Sequence, residues 1–317
     1  MELQHIKDNV YYLRGVINIG VVVGEEGQAL LIDSGLGDRS GRRILRALEA
    51  EGLKPVAVLN THCHGDHSGG NTYLVEQAGA KVYAPLHDAV ILRQPVWGTL
   101  CLFAGADPIH ELAIPRFSLR PSPVDVIVTE GELTVDGVTV EAVALPGHTG
   151  THTGYITSGV FFLGDALCSE QELENAGIPY GYSVTMRLDT LQKLQNYNCD
   201  YYLLAHESLR RDIGELVELN RKRVEETLAL IVDYLSQQPA EASDVMVAVC
   251  EHFGLQLRKV QGFFLLQPTI YSHLSHLHNR GQIAFKIEGN RLLWYVDHCG
   301  GTGERSFNQC KTTAYMS

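Results

Sequence analysis

The sequence predicts an α/β layered domain followed by a smaller unit of helices and one β-hairpin. Strand and helix patterns alternate near the N-terminus, short strands dominate residues 126–163, and long helical patterns begin near residue 215. The clearest alternation is a strand at Ala29–Asp33, a helix at Gly37–Glu51 and a strand at Val56–Leu59. Such alternation is typical of layered α/β folds.

Residues 87–122 separate the two strand-rich segments and predict an irregular insertion over the sheet edge. The segment contains four prolines, Pro95, Pro108, Pro115 and Pro121. Proline lacks a backbone N–H and interrupts regular elements. We therefore expect this insertion to form a wall of any site at that edge.

From residue 215 onward the pattern predicts three helices and a hairpin, an arrangement that resembles a winged helix. The predicted helices are Glu215–Leu235, Asp244–Phe253 and Ile270–Arg280, and the hairpin turns at Glu288-Gly289-Asn290. We divide the chain into an α/β domain at 1–212, a winged-helix-like domain at 213–298 and a flexible tail at 299–317.

Composition limits the function classes. The chain has 317 residues and a formal net charge of -12, which argues against a general nucleic-acid binder. The N-terminus has no signal-peptide pattern, and no apolar run approaches the ~20 residues of a membrane helix. Seven cysteines without a disulfide-like spacing favour a reducing compartment, so we expect a cytoplasmic protein with no membrane association.

The segment Thr61–His67 places three histidines and an aspartate directly after the strand Val56–Leu59. A packed core has no need for such a cluster. The glycines at positions 65, 69 and 70 supply the turn freedom that a ligand loop requires. The cluster therefore predicts a metal site built at a sheet edge.

Three further candidates follow the same rule of a short apolar strand and then a metal-ligand side chain. His148 follows a strand ending near Ala144, Asp165 follows Val160–Leu163, and His206 follows Tyr201–Ala205. Together with the cluster they supply five histidines and two aspartates.

This order of motifs (HxHxDH, PGHT, GD and a strand-end histidine) resembles the metallo-β-lactamase-fold superfamily of metal-dependent hydrolases over roughly residues 8–210. The resemblance implies a four-layer αββα sandwich with a catalytic role for the 1–212 domain. It also implies one metal held by His62, His64 and His148, and a second held by Asp66, His67 and His206, with Asp165 bridging. Asp33, in the family's second-strand motif, would support the ligand loop through a hydrogen bond.

The chemistry implied is hydrolysis by a hydroxide bound to two divalent metals, with Asp66 orienting the nucleophile or moving its proton. Nitrogen and carboxylate ligands suit zinc best and also iron or manganese. Two such metals about 3.5–4 Å apart lower the pKa of a shared water to ~7. The predicted substrate is a small ester, thioester, lactone or amide.

Four further residues are predicted to contact the substrate or to support a metal ligand. His152, Tyr180 and Tyr182 are candidates for substrate contact, and Glu207 is a candidate partner of a ligand. His206 lies in Leu204-Ala205-His206-Glu207, whereas the family commonly has Pro-Gly-His at this place.

Alternative functions remain open from the sequence. One is a phosphodiesterase or ribonuclease whose C-terminal domain contacts nucleic acid, although the predicted recognition helix and wing carry few cations, namely Arg280, Lys286 and Arg291. Another is non-hydrolytic iron-dependent sulfur oxidation, which the complete second ligand set disfavours. The C-terminal domain is predicted to serve as a homodimer contact or as a lid over the active site rather than as a nucleic-acid reader.

Overall fold

The computed structural model describes residues 1–297. The predicted tail at 299–317 lies outside the described residues, as does the last residue of the predicted 213–298 unit. Within the described part, no helix is long and apolar enough to cross a membrane.

The first of two large sheets has seven strands in sequence order within residues 1–297. They are β1 Leu3–Lys7, β2 Val10–Arg14, β3 Asn18–Val23, β4 Gln28–Ile32, β5 Lys54–Leu59, β6 Lys81–Pro85 and β7 Val126–Val128. Strands β4 to β7 run parallel. Their helical connections are α1 Gly37–Ala50, α2 Gly65–Ser68, α3 Asn71–Ala78, α4 Leu86–Arg93 and α5 Val96–Leu102.

The second sheet has five strands, in the order β12-β11-β10-β9-β8. They are β8 Gly131–Val135, β9 Val138–Ala144, β10 Thr153–Thr157, β11 Val160–Gly164 and β12 Tyr201–Leu204. Helices α6 Glu170–Ala176 and α7 Val184–Leu194 connect β11 to β12, which pair in parallel.

The two sheets pack face to face with helices on both outer faces, which gives four layers. Period-two alternation explains the arrangement. Leu30 and Ile32 of β4 face the core between the sheets, where they join Phe162 of β11. Ala29 and Leu31 of the same strand face the opposite core under α1 and α3. The four-layer α/β sandwich predicted from the sequence is confirmed.

The predicted insertion at 87–122 is more regular than its proline content indicated. It contains α4, α5 and a short 3-10 helix at His110–Leu112. Pro95 is the N-cap of α5, a place where its missing N–H costs nothing. Proline therefore starts a helix here instead of breaking one, and the expectation of a wholly irregular segment was wrong.

The C-terminal part consists of α8 Gly214–Gln237, α9 Ala242–His252, α10 Val260–Asn279 and the hairpin β13 Ala284–Glu288 with β14 Arg291–Tyr295. These elements share a core that includes Ile231, Val249, Leu274 and Trp294. Helix α10 starts ten residues before the predicted Ile270 and runs through Pro268. A proline inside a helix removes one hydrogen bond, but tertiary packing holds the helix together on both sides.

Asn220 of α8 ties the C-terminal part to the loop that follows β11. Its side-chain oxygen accepts the Cys168 N–H at 3.0 Å, and its amide donates to the Cys168 carbonyl at 2.8 Å. The same amide donates to the Leu216 carbonyl at 2.9 Å. The Asn220 side chain is fully buried, and its hydrogen bonds to Cys168 are partly shielded from water.

We predict that Asn220→Ala lowers the midpoint of urea unfolding, because it leaves the Cys168 backbone groups without partners, at a cost of about 2 kcal/mol. Lys222→Ala on the exposed side of the same helix is the matched control and should leave the midpoint unchanged. Equal midpoints for Asn220→Ala and the unmodified protein would show that this tie contributes nothing.

Candidate metal centre

The topology brings the predicted ligands to one edge of the sandwich. Strands β4 and β5 are parallel, as are β11 and β12, and β9 runs in the direction of β11 because both are antiparallel to β10. Their carboxyl ends therefore meet at one edge. The loops at this edge carry all seven predicted ligands, His62, His64, Asp66, His67, His148, Asp165 and His206.

Asp33, directly after β4, fixes the loop that carries four of the ligands. Its carboxylate accepts hydrogen bonds from the Thr61 N–H, the Thr61 hydroxyl and Nδ1 of His67, each at 2.8 Å. With its Nδ1 donating, His67 directs Nε2 toward the centre of the site. Asp33 holds a left-handed backbone with φ of +66°, a strained conformation of the kind found at functional sites.

Close backbone approach requires glycine in the same loop. A Cβ at Gly70 would lie 2.3 Å from the Ser34 carbonyl oxygen, and one at Gly69 would lie 2.3 Å from the Gly37 nitrogen. The loop therefore packs against the β4–α1 connection with no room for a side chain.

Three histidines and Asp165 form the first group of candidate ligands. His62 Nε2 lies 3.0 Å from His64 Nδ1, and His148 Nε2 lies 2.9 Å from the same atom. Asp165 Oδ2 lies 3.3 Å from His148 Nε2 and 3.8 Å from His62 Nε2. One ligand atom from each residue converges on a common point.

Asp66, His67 and His206 form the second group. His67 Nε2 and His206 Nε2 lie 3.2 Å and 3.6 Å from Asp165 Oδ1. His206 Nε2 lies 4.0 Å from Asp66 Oδ2. Asp165 thus directs one carboxylate oxygen toward each group, and His206 lies within the second group although its Leu-Ala-His sequence departs from the family pattern.

The protonation states suit cation binding. Burial lowers the pKa of His62, His64 and His148, and neighbouring imidazoles lower the first and third further. These three rings are therefore neutral near pH 7 and have lone pairs free for a metal. Burial would also raise the pKa of Asp165, but the surrounding histidines outweigh it and hold that pKa well below its usual range.

The surroundings of His67 indicate that protein groups alone do not satisfy the charges and donor atoms of the site. Burial would lower its pKa, but the carboxylates of Asp165 and Asp33 outweigh burial and raise it. Among the described residues, its Nε2 has the Asp165 carboxylate as an ion-pair neighbour at 3.2 Å but no hydrogen bond of good geometry, and the Oδ1 of Asp66 is buried without a hydrogen-bond partner. Ligand atoms around one zinc-type ion at ~2.0–2.2 Å lie about 3–3.5 Å from each other, close to the separations here. The donor set therefore fits two divalent cations.

Asp88 of α4 is a positioning residue that the sequence reading missed. Its carboxylate is buried and accepts hydrogen bonds from the Cys63 N–H at 3.0 Å, the Thr151 hydroxyl at 2.6 Å and the Thr149 hydroxyl at 3.2 Å. It thereby joins the His62–His67 loop to the loop carrying His148. A signal was present, because Asp88 follows the end of β6 much as the ligands follow other strands.

Arg116, from the insertion, was also missed and has no sequence signature. Its guanidinium lies 2.8 Å from Oδ2 of Asp66 while its own side chain is half exposed. A cation therefore sits beside the second group at the mouth of the site.

The other predicted residues occupy different places. Tyr180 and Tyr182 line a cavity next to the first group, and the Tyr180 ring lies 5.4 Å from that of His64 and 5.3 Å from that of His148.

His152 is fully buried, and its Nε2 accepts the Asp165 N–H at 3.1 Å. Burial lowers the pKa of His152 to about 3, so the ring stays neutral and orients the Asp165 backbone. The Glu207 carboxylate faces Arg210 at 2.5 Å.

We predict that Asp88→Asn weakens metal binding at the first group by about 10–100-fold, the usual effect of losing a residue that orients ligands. The amide cannot accept all three hydrogen bonds that hold the two loops together. Competition with a chromophoric chelator measures the affinity. Asp125→Asn is the matched control, because Asp125 accepts the Val82 N–H at 2.7 Å away from the ligand loops. Equal affinities in both variants would contradict the role assigned to Asp88.

Comparison with known proteins agrees with this site. The family model described as "Metallo-beta-lactamase superfamily" matches residues 12–206. An atrochrysone carboxyl ACP thioesterase of Passalora fulva is 24% identical over 287 residues, which cover 87% of this chain and 74% of the relative. A hydroxyacylglutathione hydrolase of Xanthomonas axonopodis pv. citri is 29% identical over 177 residues, which cover 56% of this chain and 54% of the relative.

Solved structures show the same fold. A beta-lactamase domain protein from Burkholderia ambifaria superposes with a TM-score of 0.74 at 17% identity, covering 93% of both chains. A metallo-beta-lactamase family protein from Thermus thermophilus superposes with a TM-score of 0.69 at 20% identity, covering 91% of this chain and 98% of that one. Both matches extend well beyond residue 206. The chain belongs to the metallo-β-lactamase superfamily and is a metal-binding hydrolase of that family.

Proposed function

We propose that the protein is a thioester hydrolase that uses two divalent metals. Zinc is the metal that best suits the histidine and aspartate ligands. The observation that carries the proposal is the position of Asp165, whose two carboxylate oxygens face the two ligand groups at 3.2–3.8 Å. A carboxylate placed in this way suits a pair of metals that share one water.

The thioester class rests on the relatives together with the site. The thioesterase and the hydroxyacylglutathione hydrolase named above both act, by their names, on an acyl group attached to sulfur. A thioester has an activated carbonyl, which a nucleophile attacks without help from a strong acid at the leaving group. The site is consistent with this need, because the cavity wall beside His64 and His148 includes no unpartnered carboxylate among the described residues.

Each protein group has a separate task in this mechanism. When bound, the two metals would lower the pKa of a shared water and stabilise the oxyanion that develops on the carbonyl. Asp66 would orient the nucleophile, and Arg116 beside it would balance its charge. Asp33 holds His67 in place, and His152 holds the Asp165 backbone. The Tyr180 ring packs against the rings of His64 and His148.

The nuclease alternative loses support from the C-terminal part, which we propose to be winged-helix-like. The cations of its hairpin are paired, since Lys286 lies 2.6 Å from Glu288 and Arg291 lies 2.5 Å from Glu241. One face of α10 is buried, and its Thr269 and Ser272 hydroxyls accept hydrogen bonds from the backbone at the start of α7 and just before it. A helix so engaged is poorly placed to enter a nucleic-acid groove.

The complete second ligand group disfavours the iron-dependent sulfur oxidation considered from the sequence. The homodimer contact and the cytoplasmic location remain predictions.

We predict two divalent metals per chain after metal-replete expression, measured by elemental analysis. His67→Ala should lose the second metal and keep most of the first, because His67 contributes to the second group alone. His64→Ala, the matched histidine of the first group, should show the reverse preference. Equal loss of both metals in both variants would contradict the division into two groups.

The reaction is tested with a panel of thioesters, lactones, phosphodiesters and short RNAs. We expect thioester turnover that falls at least ~10²-fold in His64→Ala, the size of a lost electrostatic group. Turnover of RNA but not of thioesters, abolished by the same substitution, would replace this proposal with the nuclease alternative.

A further inference from the structure

The cavity beside the first ligand group has a volume of about 350 Å³, at the small end of the range for ligand pockets. His64, His148 and Tyr180 contribute to its wall next to the metals. The remaining wall is largely apolar and comes mainly from two parts of the chain, the insertion with its helices α4 and α5, and α10. Its apolar residues include Ile91, Leu102, Phe117, Leu119, Leu265 and Pro268.

The charged groups in this wall already have partners. Asp88 accepts three hydrogen bonds from the ligand loops, and Arg116 is paired with Asp66. A carboxylate at the free end of a substrate's acyl chain would therefore find no unpaired lysine or arginine among the described residues of this wall, and its desolvation would cost free energy. Apolar surface, in contrast, would gain from burial.

Helix α10 is held firmly at this wall. The Val184 N–H donates to the Ser272 hydroxyl at 2.8 Å, and Gln261 donates to the Glu111 carbonyl at 2.7 Å. The ring of Phe264 lies 5.2 Å from that of Phe103 in the segment after α5. The contacts lie on both sides of Leu265 and Pro268, so the backbone that carries these two side chains is anchored at the cavity wall.

We propose that the cavity binds the uncharged, apolar acyl chain of the thioester and that Leu265 of α10 limits its length. This inference rests on the proposed thioester hydrolysis. The carbonyl would lie at the metal centre and the acyl chain would extend along Tyr180 toward Leu265. The C-terminal part thus takes the role of a specificity wall for chemistry performed by the first domain.

The test uses the metal-loaded enzyme and acyl thioesters of one thiol, N-acetylcysteamine, from acetyl to octanoyl, with succinyl as the charged member. We expect kcat/KM to rise about fourfold per buried CH₂ until the cavity is full, and succinyl to be cleaved no faster than acetyl. Leu265→Trp should reduce kcat/KM for octanoyl at least tenfold and leave acetyl within about twofold, since the proposed binding mode places Leu265 at the far end of the acyl chain. Tyr271→Trp, on the same helix but outside the cavity, is the matched control and should keep the wild-type chain-length profile.

A second readout does not depend on turnover. Cys101 lines the cavity and is exposed, so its alkylation by iodoacetamide reports access. The octyl thioether of N-acetylcysteamine, which has no thioester bond to hydrolyse, should slow alkylation of the Cys101 peptide at least threefold by mass spectrometry, and the ethyl thioether should not. Thioester turnover with a flat chain-length profile and unprotected Cys101 would overturn this inference alone. Cys101 protection without turnover of any thioester would overturn the proposed function and leave an apolar binding cavity.

Discussion

Asp165 lies between two groups of ligand side chains, and the geometry of the whole site depends on that position. Its oxygens lie 3.2–3.8 Å from four histidine nitrogens that come from three different loops. Burying a carboxylate among neutral rings costs free energy unless positive charge is close by. Protein groups alone supply that charge by protonating His67, whose pKa is raised despite burial. Divalent cations would supply it more fully and would leave every ring free to act as a ligand.

Two further carboxylates, Asp33 and Asp88, hold the ligand loops in position relative to the rest of the fold. Asp33 links the end of β4 to the start of the ligand loop, and Asp88 links that loop to the one carrying His148. Each accepts three hydrogen bonds in the interior, so each is satisfied and each fixes more than one backbone segment. The ligands are therefore positioned by side chains that never touch the metals, which is how a rigid site forms on loops.

The sequence predicted the parts of the fold that depend on local pattern. The helix α1, the strand β5 and the order of ligands at strand ends were all readable, because each repeats a short periodic or strand-then-ligand signal. The same approach missed Asp88 and Arg116. Asp88 follows a strand end as the ligands do, but the sequence does not show which two loops it joins. The role of Arg116 depends wholly on the loop that lies beside it in space, and spacing along the chain carries no information on that.

Local pattern also failed where tertiary contacts override a residue's usual preference. The predicted helix began at Ile270, but α10 begins at Val260 and contains Pro268, because packing against neighbouring segments compensates for one lost hydrogen bond. Helix α6 was overlooked although Ser169 and Glu172 form a capping box that marks its first turn. The signal existed, but a seven-residue helix offers too little periodicity to be found by hydrophobic pattern.

The extension of α10 through Pro268 has a consequence for how function is divided along the chain. A helix beginning at Ile270 would place Leu265 in a loop, whereas the observed helix presents Leu265 and Pro268 together on a packed surface. The candidate ligands all lie before residue 207, and the cavity wall proposed to select the acyl group comes partly from residues after 260. We therefore expect substitutions in α10 to change the preferred substrate without altering the metal centre, because no hydrogen bond within residues 1–297 joins that helix to a candidate ligand. In a superfamily where one set of ligands serves many substrates, such separation lets the C-terminal part vary while the chemistry stays constant.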